Sequence, residues 1–138
     1  MILNELRKNA RISMLDVAKK SNIPLSTVYD KVKDYEGDII KKHTSIIDFS
    51  RVGYLSRMLV ALKVTKEARG TIQTFLERHP NVNTLQRVNS GFDYLVEIIT
   101  QNPVMLKDIL EEIEMQNGFI EKKCFDIIDE IKREAFLI

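Results

Sequence analysis

The sequence predicts an α+β protein in two parts. A small helical unit carrying a helix-turn-helix is followed by a four-stranded antiparallel sheet with two helices, in the order βαββαβ. Three observations predict this. Residues 13–32 read as helix, tight turn, helix; the apolar residues switch from helical spacing to alternation near residue 57; and two later helical stretches separate strand-like runs.

Ser13 followed three residues later by Asp16 is a capping-box variant, so a helix is expected from Met14. Leu15 and Ala18 lie three apart on its expected inner face, and Ser21-Asn22 supply turn chemistry. Pro24 suits a first helical position. Leu25, Val28, Val32 and Tyr35 then recur at the period that buries one side of a helix, with Ser26, Thr27, Asp30 and Lys33 opposite. That outward side is short, polar and hydrogen-bonding. Such side chains can approach base edges in a major groove, whereas a merely solvated face more often carries long Lys and Glu. Two short helices of any helical domain share the spacing, so both readings stand on the pattern alone.

From Arg57 to Val64 the residues alternate: Met58, Val60, Leu62 and Val64 mark the buried face of a strand, and Leu59 and Ala61 make its other face partly apolar. Gly70 to His79 reads as a helix with Ile72, Phe75 and Leu76 inward, stopped by Pro80-Asn81. Val82 to Asn89 and Phe92 to Thr100 are β-rich runs separated by Ser90-Gly91, a hairpin signal. Asn102-Pro103 opens a second helix with Leu106, Ile109, Leu110 and Ile113 inward, and Asn117-Gly118 closes it. A last strand is expected from Phe119 to about Asp129, although Phe125, Ile128 and Ile131 also fit helical spacing. A first strand apolar on both sides leaves an uncovered patch on the helix-free face, so two protomers are expected to pack there.

Composition bounds the function. The 138 residues hold 21 basic and 20 acidic side chains, so no global field argues for nucleic acid. The first 44 residues carry nine Lys or Arg against six Asp or Glu, a net of about +3, and the remainder is slightly acidic. So small an excess gives weak binding per copy, and useful affinity for a polyanion needs several copies presented together. Cys124 stands alone, which excludes an intrachain disulfide and a CxxC site, and it is expected to be an ordinary half-buried thiol. No apolar run approaches a membrane span and the first residues lack a signal-peptide core, so a soluble, cytoplasmic protein without membrane contact is expected. The linker is expected over Ile39 to Ile47. His43 and His79 form no general-base constellation, and no Ser/His/Asp set, phosphate loop or metal-spaced cluster is visible. Neither an enzyme nor a cofactor is expected.

The chain resembles the Lrp/AsnC family of leucine-responsive, feast-or-famine transcription regulators. The resemblance rests on Asn9-Ala10-Arg11-Ile12-Ser13 with Asp16-Val17-Ala18, on Leu25 to Val32, on Ile39 to Thr44, on Val52-Gly53-Tyr54, and most specifically on Ser90-Gly91-Phe92-Asp93-Tyr94. It covers nearly the whole chain. It implies a winged-type helix-turn-helix over residues 1–44, a linking strand and hinge over 45–56, and a ferredoxin-like βαββαβ effector-binding and oligomerisation domain over 57–138. Three departures stand out: the first helix is short, Gly37 falls one position early after the recognition helix, and Lys31 replaces a common Arg, losing its bidentate fork.

The resemblance implies homodimers, with octamers as a further step, whose recognition helices enter successive major grooves of double-stranded DNA. Ser26, Thr27 and Asp30 would read bases, and Lys31, Lys33, Lys41 and Lys42 would neutralise phosphates. A small effector such as an amino acid would bind near Gly91, Phe92 and Asp93; equally, Gly91 could simply supply a positive φ and Asp93 satisfy turn amides. Two other readings share the architecture. Sirohaem decarboxylases resemble the same two-domain design but carry a His- and aromatic-rich segment that Phe49 to Met58 lacks, and a low-specificity nucleoid protein fits the modest charge excess.

Overall fold

The computed structural model describes residues 1–138 and divides into two compact units, one of residues 1–47 with 131–138 and one of residues 48–130. The first unit holds three helices, α1 (Ile2–Lys8), α2 (Met14–Ser21) and α3 (Leu25–Glu36). Ser13 caps α2 as expected, its hydroxyl accepting the Asp16 N–H at 3.1 Å. Asn22 ends α2 in the left-handed region at φ 54°, where its N–H reaches the Ala18 carbonyl, and this reversal lets α3 begin within three residues. Ile2, Leu6, Val17, Ala18, Val28 and Val32 close the core of the unit.

Two inward assignments differ from the sequence expectation. Leu15 is 51% exposed and Val17 is fully buried, because Met14, Val17, Ala18 and Ser21 form the i, i+3, i+4, i+7 face that meets α3. Leu25 is 39% exposed: it is the first residue of α3, with no preceding turn to cover it. Pro24 is the N-cap rather than the first helical residue.

Residues 40–48 carry no regular structure, so the expected linking strand pairs with nothing in the chain. Residues 131–138, expected in the second domain, instead group with the first unit. Two side chains of α1 hold them. The Asn4 amide donates to the Ile138 carbonyl at 2.6 Å and accepts its N–H at 2.8 Å, and Arg7 binds the carbonyls of Glu134 and Phe136 as well as the Glu134 carboxylate.

The second unit follows the expected order: β1 (Ser56–Val64), α4 (Arg69–Arg78), β2 (Val82–Arg87), β3 (Tyr94–Thr100), α5 (Pro103–Glu114) and β4 (Phe119–Asp126), with short 3-10 turns at Phe49–Val52 and Lys66–Ala68. The sheet order is β2-β3-β1-β4, and every neighbouring pair is antiparallel. Val60 and Leu62 on β1 stand opposite Val96 and Tyr94 on β3, and this face packs on Ile72 and Leu76 of α4 and Leu106, Ile109 and Ile113 of α5. Each such side chain contributes about 1.5–3 kcal/mol by leaving water. Asn102 caps α5 through the Met105 N–H, with Pro103 at the first turn where a missing donor costs nothing.

β2, β3 and β4 are shorter than the sequence suggests. β4 ends at Asp126, with one more ladder bond from the Ile127 N–H to the Arg57 carbonyl, before the chain turns away. Cys124 is exposed, not half-buried, because β4 is an edge strand. On the helix-free face, Leu59 lies beside Glu97 and Phe125, and Ala61 beside Leu95. Leu59 and Leu95 are half-buried and Phe125 is 46% exposed, so a band of apolar surface crosses the sheet.

Candidate nucleic-acid interface and effector turn

The outward side of α3 is set by which side is buried. Val28 and Val32 are inside, so Ser26, Asp30 and Lys33, spaced i, i+4 and i+7, share one strip facing away from the core. All three are exposed; Thr27 on the flank is half-buried, and Lys31, Lys41 and Lys42 are exposed. The ion pairs of this unit are Arg7–Glu134, Lys8–Glu5, Lys20–Glu5 and His43–Glu36, which leaves Asp30 and Lys33 unpaired and available. The structure thus gathers Ser26, Asp30 and Lys33, while Lys41 and Lys42 follow on the irregular segment. Tyr29, to which the sequence pattern assigns no role, is 58% exposed on the same helix. Its spacing, one turn before Lys33, is the signal that marks it.

The second candidate site is the β2–β3 connection. Ser90 and Gly91 both take positive φ, 71° and 102°, and the Val88 N–H donates to the Asp93 carbonyl at 3.0 Å, closing the turn. A Cβ on Gly91 would meet nothing within 4 Å, so the backbone conformation alone favours glycine here. Phe92 beside it is half-buried.

Asp93 is a pin. Its N–H donates to the Leu62 carbonyl at 2.7 Å, its Oδ2 accepts the Val64 N–H at 2.9 Å, and its Oδ1 pairs with the Arg69 guanidinium at 3.1 Å. With the carboxylate 17% exposed, these bonds tie the end of β1 and the start of α4 to the turn. Both oxygens already serve the fold, which is the structural reading of Asp93. Each retains a further lone pair for a ligand donor. Arg69 remains 43% exposed, and Tyr94 anchors the same corner through its hydroxyl, which donates to the Arg69 carbonyl at 2.9 Å.

A polar cluster that the sequence pattern does not show lies on the helix-free face. Arg57 binds Glu97 at 2.9 Å and Glu130 at 2.7 Å, Asn83 donates to Glu97 at 2.5 Å, and the Phe49 ring lies 5.8 Å from the guanidinium. Burial disfavours the charge on Arg57, but hydrogen bonds and attraction from Glu130 and Glu97 outweigh it and hold its pKa above the ordinary arginine value. Glu97 is itself buried, and the cluster neutralises it.

His79 ends α4, its Nδ1 accepting the Asn81 N–H and its Nε2 3.4 Å from Glu112; His43 lies 3.2 Å from Glu36. No group of three or more His, Cys, Asp or Glu side chains is placed to hold a metal ion. No helix is long and apolar enough to cross a membrane.

Known proteins resemble this chain in both units. A family model described as winged helix-turn-helix DNA-binding matches residues 1–37. The transcriptional regulator AzlB of Bacillus subtilis is 29% identical over 86% of this chain and 78% of its own length. The HTH-type regulator LrpC of Bacillus subtilis is 22% identical over 93% of this chain and 90% of its own length. The solved structure of the Neisseria meningitidis regulator NMB0573 in complex with L-Met superposes with a TM-score of 0.89 at 17% identity, covering 99% of this chain and 92% of that one. These relatives are described as transcription regulators, not as enzymes. Helix-turn-helix, βαββαβ sheet and relatives agree, and together they support a DNA-binding transcription regulator of the Lrp/AsnC type.

Proposed function

We propose that this regulator works as a homodimer that reads a two-fold-related operator through paired α3 helices and answers to an amino acid or a close metabolite. The observation that carries the reading is the outward strip of α3, whose Ser26, Asp30 and Lys33 are exposed and free of internal ion pairs over a closed core. Ser26, Thr27 and Asp30 meet base edges, Asp30 accepting from a cytosine amine, while Lys31, Lys33, Lys41 and Lys42 meet phosphates. The second copy packs on the apolar band around Leu59, Leu95 and Phe125, and dimers assemble further into octamers. Such a protein works where the chromosome lies, in the cytoplasm.

The effector reading is supported by the L-Met bound to the Neisseria meningitidis relative and by the Gly91-Phe92-Asp93 turn, which presents a carboxylate beside a partly exposed guanidinium. Opposite charges so placed suit the ammonium and carboxylate of an α-amino acid. Calorimetric titration of the twenty amino acids into the protein should show heat for one or a few of them; no heat from any of the twenty leaves Asp93 a structural pin alone.

Lys33 tests the DNA reading. Replacing it by Ala should weaken operator binding and flatten the salt dependence, lowering the log–log slope by about 0.9 for each phosphate that is no longer neutralised. Gel shifts from low to moderate salt give the slope directly, and an unchanged slope would remove Lys33 from the phosphate-binding set.

A further inference from the structure

On the exposed side of α3 one residue does not fit the polar strip. Tyr29 follows Ser26 by one turn and precedes Lys33 by one turn, so its ring sits at the margin of the strip that Ser26, Asp30 and Lys33 define. It is 58% exposed, and Leu25, one turn earlier on the same margin, is 39% exposed. The Tyr29 ring takes no part in the aromatic or cation–π contacts of the chain, and its hydroxyl has no hydrogen-bond partner. The core of this unit is complete without them, since Val28 and Val32 already fill the inner face. An aromatic ring and a leucine side by side thus form a small apolar edge along a helix whose other outward groups are polar or charged.

The floor of the major groove carries one apolar group, the C5-methyl of thymine. We propose that Tyr29 is a specificity-determining residue whose ring, backed by Leu25, packs on a thymine methyl in each half-site. The proposal rests on the DNA-reading role of α3 and adds a base preference to it. Ser26, Asp30 and Lys33 offer hydrogen bonds and charge, and none of them can distinguish thymine from its unmethylated counterpart; an apolar ring can.

The test uses the full-length protein and a duplex selected by it from a random pool. Each thymine of the selected half-site is replaced in turn by deoxyuridine, which removes the methyl and keeps the pairing edge. The expected result is a loss of about tenfold in affinity at one thymine position for the wild type, within the range of a single base contact. Tyr29→Phe should bind like the wild type and lose the same factor on that deoxyuridine duplex. Tyr29→Ala should bind the thymine duplex about tenfold more weakly and be indifferent to the deoxyuridine exchange. A wild type that binds tightly but tolerates every exchange would overturn the proposal, as would a Tyr29→Ala variant that keeps either its affinity or its sensitivity to the methyl. A Tyr29→Phe variant as weak as Tyr29→Ala would also overturn it, because the hydroxyl rather than the ring would then touch the base. A wild type that selects no duplex at all would instead remove the DNA-reading role beneath the proposal.

Discussion

Gly118→Ala should destabilise the second unit by about 3 kcal/mol, with the midpoint of chemical unfolding shifted accordingly. Two physical costs add. Gly118 sits at φ +95°, a left-handed conformation that costs an L side chain about 1–2 kcal/mol. A Cβ there would also lie 2.2 Å from the Cβ of Ala68 and 2.7 Å from the Thr65 hydroxyl. The Thr65 side chain can rotate away, but Ala68 is held by the turn entering α4, and the Thr65 N–H donates to the Gly118 carbonyl at 2.8 Å, locking the two segments together. Relieving such a clash by moving backbone costs about 1–3 kcal/mol. Two controls separate the costs. Gly91→Ala has the same backbone penalty with open space around it, so it should lose only about 1–2 kcal/mol. Adding Ala68→Gly to Gly118→Ala should relieve the clash and leave the backbone cost. A Gly118→Ala protein that unfolds at the wild-type midpoint would contradict this account of the turn before β4.

Leu59→Glu should separate the proposed dimer. Leu59 lies half-buried in the middle of the helix-free face, with Glu97 on one side in register and Phe125 on the other. In a lone chain the new carboxylate can reach water, and its repulsion from Glu97 opposite, which Arg57 partly neutralises, keeps the loss to about 1–2 kcal/mol. Between two packed sheets the same carboxylate, and its symmetry mate, would be buried without a partner. An uncompensated buried charge costs about 3–5 kcal/mol, or a hundredfold or more in the dimer dissociation constant. Operator affinity should fall with it, because the two recognition helices would no longer arrive together. Sedimentation equilibrium reads the first effect and gel shifts the second. A Leu59→Glu protein that stays dimeric at micromolar concentration would move the interface to another surface.

What the sequence makes legible is local. Ser13 and Asn102 announce their helix starts because a cap spans only three residues, and Met58 to Val64 announce a strand because its partners all sit on one side. What it hides is register and distance. Leu15 and Val17 differ by two positions, and only the docking of α2 on α3 decides which of them is covered. The residues that clasp the C-terminal segment, Asn4 and Arg7, are more than 120 positions from it, so no periodicity can show that residues 131–138 belong with α1. The candidate site divides in the same way. The Gly91-Phe92-Asp93 turn is visible as a motif, but the Arg69 that neutralises Asp93 lies in another element, as does the Glu97 that faces Arg57. The outward polar strip of α3 is legible from spacing, whereas Tyr29 is hidden because a tyrosine near an apolar stripe looks like part of it.

In the proposed assembly two α3 helices, held by one dimer, enter successive major grooves of one duplex. The most direct measurement is affinity and stoichiometry on a selected duplex whose two inverted half-sites lie one helical turn apart, about 10 base pairs. The same duplex lengthened by half a turn between the half-sites is the comparison. One dimer, alone or within a larger assembly, should engage both half-sites together, with a loss of about a hundredfold or more on the lengthened duplex, since half a turn puts the second groove on the far side of the helix. Half-sites that fill independently, with equal affinity for both spacings, would contradict it.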